Sequence, residues 1–140
     1  MHTMPAILIA ASAIVILILG TLHLVFTYSG SAFHPRDPAL TAAMKADSPR
    51  ISRSTTMWRA ATGFHASHSL GAMMFGTIYA YLALEGSGFL LHSTFLSVFG
   101  MLVLLSYLVL AKVYWFKVPL RGIALANVLY AAGLVAHLSA

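Results

Sequence analysis

The sequence predicts an all-α integral membrane protein: an antiparallel bundle of four transmembrane helices, with a short interfacial helix in the first loop. Three observations carry this expectation. Hydrophobic residues make up 60% of the 140 positions and charged residues 8%, whereas a soluble domain carries about 25% charged residues to cover its surface. Four apolar stretches each reach the roughly 20 residues that a helix needs to cross the hydrocarbon core. All eight Lys and Arg residues fall on one side of the resulting four-span arrangement. The length fits one domain, residues 1–140.

The first span is expected over residues 6–28, AILIAASAIVILILGTLHLVFTY. A signal peptide needs a basic start and an apolar run of about 7–15 residues. Here the start, MHTMP, has no Lys or Arg and the run is longer, so a retained helix is expected. In the first loop, Asp37 followed by Pro38 reads as an N-cap with proline at the first helical position. PALTAAMKA then forms an interfacial helix with Leu40 and Met44 on one face, and Pro49 ends it. Ser54 or Thr55 is placed to cap the second span, residues 57–84. The turn EGSG leads to the third span, residues 89–111, and the fourth covers 120–138.

Arg36, Lys45, Arg50, Arg53 and Arg59 belong to the first connection, and Lys112, Lys117 and Arg121 to the third. Basic loops stay cytoplasmic, so both termini are expected outside. Trp58, Tyr114, Trp115 and Phe116 mark the same boundary, as interfacial aromatic residues do. The basic residues lie beside apolar spans, which points to anionic lipid headgroups and not to nucleic acid. With no cysteine in the chain, disulfides, thiolate metal sites and iron–sulfur clusters are excluded.

Helical periodicity sorts the polar residues onto faces. Ser12, Ile16, Gly20, His23 and Thr27 align on the first span; His65, His68, Ala72 and Tyr79 on the second; Ser93, Ser97 and Gly100 on the third; Asn127, Tyr130 and His137 on the fourth. Gly63, Ser67 and Gly71 form a ridge of small residues, which suits close helix approach in lipid. At about 1.5 Å of rise per residue, His23, His65, His68, Asn127 and Tyr130 occupy one slab in the cytoplasmic half. A polar group facing lipid costs several kcal/mol unless paired, so these residues are expected to face each other. The expected pocket is His23, Thr27, Thr62, His65, His68, Asn127 and Tyr130. His92 and His137 make a separate pair near the outer surface.

Several chemistries suit such a pocket. The plainest is structural: neutral imidazoles hydrogen-bonded across helices. His23, His65 and His68 could instead hold a zinc or copper ion. His23 with His65 or His68 could be the axial pair of a haem b, held non-covalently because no CxxCH motif exists. A histidine that titrates near neutral pH also suits acid–base work on a quinone-, isoprenoid- or sterol-like molecule. Separately, Arg36 and Arg59 could clamp a lipid phosphate.

The segments TLH, HPRDP, TTMWRA and SHSLG together resemble a family of small bacterial integral membrane proteins with four helices and no established activity. The resemblance covers about half the chain and implies the bacterial inner membrane. It implies no chemistry. The functional expectation is a binding protein or accessory subunit of a membrane complex, with the lipid bilayer and other membrane helices (a homo-oligomer or a larger complex) as partners. A haem or metal protein, or an enzyme acting on a lipid-soluble substrate, is the alternative.

Overall fold

Local chemistry sets the ends of each helix. In the computed structural model, which describes residues 3–139, six helices follow one another: α1 Met4–Tyr28, α2 Pro38–Ala46, α3 Met57–Leu84, α4 Phe89–His92, α5 Thr94–Tyr114 and α6 Lys117–Leu138. The described residues contain no strand. As expected, Asp37 caps α2: its Oδ1 accepts from the Ala39 N–H at 2.8 Å, with Pro38 at the first position. The start of α3 differs from expectation. The cap is Thr56, whose Oγ1 accepts from the Arg59 N–H at 3.3 Å, rather than Ser54 or Thr55.

The expected third span is broken. Ser93 has extended backbone, ends α4 and begins α5, and its side chain accepts from the Leu96 N–H. A serine that can satisfy an orphan amide favours a cap over a helix interior, which is why a continuous 89–111 helix does not form. The fourth expected span begins earlier, at Lys117, with Pro119 in the first turn, where its missing N–H costs nothing.

Three helices, α1, α5 and α6, are long and apolar enough to cross a membrane. The expectation was four. The 28-residue α3 is long enough, but His65, Ser67, His68, Ser69 and its glycines lower its hydropathy below that of the other three.

The chain forms two compact units. The first comprises the described residues up to Leu19 and those from Ala72 onward. Its core joins Ile9, Ala13 and Ile16 of α1 to Ala72, Phe75, Tyr79 and Ala83 of α3, with Leu90, Leu104, Ala111, Ile123, Ala126 and Tyr130. The spacings of three and four are those of one helical face. Gly76 lets α3 approach α1: a Cβ there would lie 2.7 Å from the Ala13 carbonyl oxygen and 2.8 Å from the Leu17 nitrogen. The expected small-residue ridge is not the packing surface, since Gly63, Ser67 and Gly71 are exposed.

Polar groups in this unit are tied to backbone. Ser12, fully buried, donates to the Ala126 carbonyl at 2.7 Å. The Asn127 amide donates to the Leu104 and Ile123 carbonyls at 3.0 and 2.9 Å. Tyr79 and Tyr130 donate to the neighbouring carbonyls of Leu96 and Ser97, at 2.9 and 3.2 Å. Such bonds to backbone carbonyls substitute for the water that an apolar setting lacks.

The second unit, Gly20–Gly71, holds the end of α1, all of α2, both loops beside it, and the first half of α3.

Candidate functional site

Within the second unit the last turns of α1 and the first turns of α3 bring three imidazoles together. His23 Nε2 and His65 Nδ1 lie 3.2 Å apart and share a hydrogen bond. The His23 ring centre is 5.3 Å from that of His65 and 5.2 Å from that of His68. His65 and His68 reach the same side because a three-residue step is nearly one helical turn. Phe33, from the loop after α1, stacks on His65 with ring centres 5.0 Å apart and planes within 9°, and lies 4.5 Å from His23.

Next to these rings is a cavity of about 110 Å³, walled by Phe33, His34, Trp58 and His65, with Thr27 and Thr62 among its other lining residues. His34 meets Trp58 edge-on at 4.8 Å. Lys45 of α2 sits 5.0 Å over the Trp58 ring, a cation–π contact. The two threonines turn their protons inward: Thr27 donates to the His23 carbonyl at 2.7 Å and Thr62 to the Trp58 carbonyl at 2.9 Å. Their hydroxyls can therefore offer lone pairs to the cavity. Ser69 likewise donates to the His65 carbonyl at 2.9 Å.

The hydrogen bond has a chemical consequence for His65. One ring nitrogen of a neutral imidazole donates and the other accepts. If Nδ1 accepts from His23, Nε2 carries the proton; if Nδ1 donates, Nε2 accepts. His23 therefore sets whether His65 presents a donor or an acceptor at its second nitrogen.

Of the seven expected pocket residues, the structure brings His23, Thr27, Thr62, His65 and His68 into this unit. Asn127 and Tyr130 belong to the other unit, where their donors are spent on α5 and α6 carbonyls. The Asn127 Oδ1 is buried with no hydrogen-bond partner among the described residues. His92 and His137 do pair, with ring centres 5.8 Å apart and edge-on. Among the described residues no group of three His, Asp or Glu side chains is arranged to hold a metal ion. Arg36 and Arg59 are both exposed. Phe33 is a wall that helical periodicity cannot reveal, because it lies in a loop; its position in FHP, just before α2, is the only signal.

In comparisons with family models, curated proteins and solved structures, no match was found. The likeness carried by HPRDP and SHSLG therefore assigns no family. Fold and site define a helical protein, three of whose helices are long and apolar enough to cross a membrane, with an imidazole- and aromatic-walled cavity.

Proposed function

We propose that this chain is an integral protein of the bacterial inner membrane that binds a small polar ligand, or the polar end of a lipid-soluble one, at its cytoplasmic face. In this reading α3 also crosses the membrane, as the second of four spans, and both termini are outside. The basic residues support the orientation. One observation carries the binding function: the hydrogen-bonded His23–His65 pair, backed by Phe33, stands at the wall of a cavity that Trp58 and two threonines complete. Titratable groups at membrane depth mark functional sites by default. The protein acts as a binding component, alone or as an accessory subunit of a membrane complex.

The cavity's size favours some ligands over others. Sites that enclose a whole drug-sized molecule run to roughly 300–1,000 Å³. A volume of about 110 Å³ suits a headgroup-sized or smaller moiety and is too small for a haem macrocycle. A two-histidine transition-metal site has one observation in its favour. Nitrogens 3.2 Å apart are spaced as two ligands of one ion with bonds of about 2.0–2.1 Å, the ion then replacing the hydrogen bond.

Two measurements test these readings. Protein purified in mild detergent is analysed by native mass spectrometry, absorption spectroscopy and metal analysis, alongside Trp58→Ala and His65→Ala. A retained small molecule lost in both variants supports ligand binding. A stoichiometric metal lost only in His65→Ala supports the metal site. A bare protein in all three assays, with no complex retained, overturns the binding function. Orientation is read from single cysteines at Ser48 and Ser87, labelled in intact cells with a membrane-impermeant maleimide. Labelling at 87 and not at 48 is expected, and the reverse overturns the orientation.

A further inference from the structure

The loop between α2 and α3 has a construction that the histidine site does not use. The Ser52 N–H donates to the Pro49 carbonyl at 3.1 Å, so Pro49–Ser52 is a β-turn with Arg50 and Ile51 at its tip. The loop is closed at its neck, where the Met57 N–H donates to the Asp47 carbonyl at 2.9 Å. Ser52 and Ser54 hold the descending strand of the loop through a hydroxyl pair at 2.8 Å and the Ser54 N–H at 3.2 Å. The tip is therefore held in place, and it points an apolar side chain outward: Ile51 is 94% exposed.

A single exposed isoleucine needs no explanation by itself. Its neighbours give it one. Arg50 and Arg53 flank it, Arg36 and Arg59 lie in the same unit, and all four are exposed. The two acids of the unit each accept a backbone N–H: Asp37 Oδ1 caps α2 through the Ala39 N–H and Asp47 Oδ1 takes the Ser48 N–H, each at 2.8 Å. No ion pair joins these arginines to a carboxylate among the described residues. The segment thus presents an apolar tip between guanidinium groups that no carboxylate pairs with directly among the described residues.

We infer that the Pro49–Ser54 turn is an anchor for an anionic membrane surface, with Ile51 entering the headgroup layer and Arg50 and Arg53 on lipid phosphates. Arginine suits this because its planar donors match phosphate oxygens two at a time. Each basic residue near an anionic leaflet strengthens attraction about fivefold. The inference rests on the proposed membrane-spanning arrangement and assigns the lipid class that the cytoplasmic loop meets.

The test uses the whole chain, which has no cysteine of its own. Ile51→Cys carries an environment-sensitive fluorophore in nanodiscs of phosphatidylglycerol or of phosphatidylcholine. Ser87→Cys, in a loop without arginine, is the reference. The expected result is a blue-shifted emission at position 51, quenched by lipid-borne nitroxide, in the anionic discs only. Native mass spectrometry of unlabelled protein gives the second readout: phosphatidylglycerol retained over phosphatidylcholine, with about fivefold lost for each of Arg50→Gln and Arg53→Gln. Water-like emission at position 51 in anionic discs overturns the inference, as does equal shielding in both lipids that Arg50→Gln leaves unchanged. Shielding that persists in lipid-free detergent points to a second copy of the chain and also overturns it. A chain that does not stay in discs at all overturns the membrane-spanning reading as well, so the two failures are told apart.

Discussion

His23 Nε2 and His65 Nδ1 meet at 3.2 Å, from positions 42 residues apart in the chain. Both rings are half-buried, and each supplies a polar partner to the other. The pair joins the end of α1 to the first half of α3, and it sets the tautomer that His65 carries beside the cavity.

That bond is expected to be measurable as a coupling. His23→Ala and His65→Ala should each destabilise the protein, and the double variant should lose less than the sum. Hydrogen bonds between membrane helices show couplings averaging about 0.6 and reaching about 1.7 kcal/mol. A double-mutant cycle followed by reversible unfolding in mixed micelles reads it. A coupling of zero would mean the rings do not bond in the micelle-embedded protein.

Two glycines of α3 should respond in opposite ways. Gly76→Ala puts a methyl against the Ala13 carbonyl and the Leu17 backbone, neither of which can rotate away. Overpacking of this kind costs about 1–3 kcal/mol. At Gly63 a Cβ meets nothing within 4 Å, and alanine there should be neutral or stabilising by about 0.5–1 kcal/mol. Thermal unfolding of the two variants side by side checks the pair.

Ser12→Ala should cost about 1 kcal/mol, since it removes the donor to the Ala126 carbonyl at a fully buried position. Ser106→Ala is the matched control: its hydroxyl bonds the Leu102 carbonyl within α5 on an exposed face, and its loss should be near zero. Chemical denaturation in detergent separates them.

The break at Ser93 predicts a local effect. Ser93→Ala removes the acceptor for the Leu96 N–H, a cap of about 1 kcal/mol. Hydrogen exchange should quicken at the first turn of α5 and stay unchanged in its last turns. Uniform exchange along α5 would show that the cap contributes nothing.

Much of this was legible in the residues. Ser12, Ile16 and Gly20 on one side of α1 are buried, as are Ala72 and Tyr79 of α3 and Asn127 and Tyr130 of α6, because a 3.6-residue period puts a helix's inward residues on one stripe. The Asp37–Pro38 start of α2 was readable for a local reason: both the cap and the fixed proline φ act within one turn. The small-residue ridge at Gly63, Ser67 and Gly71 misled. Small residues permit close approach, but they do not name the neighbour, and at those positions no helix takes the offer. The break at Ser93 was missed because an apolar run reads as continuous until its carbonyls and amides are counted.

By itself the sequence determined an all-helical chain, the short helix α2 with its Asp37–Pro38 start, and the inward faces of its helices. These follow from hydrophobic spacing and from caps that span at most a few residues. Tertiary structure alone decided which polar group meets which. Asn127 and Tyr130 were expected at the depth of the histidines, yet their partners are backbone carbonyls of Leu104 and Ser97. Every residue carries such a carbonyl, so no residue identity could have announced the choice. Phe33 became a cavity wall for the same reason: the path of a loop is set by what its ends are packed against, not by a period within it.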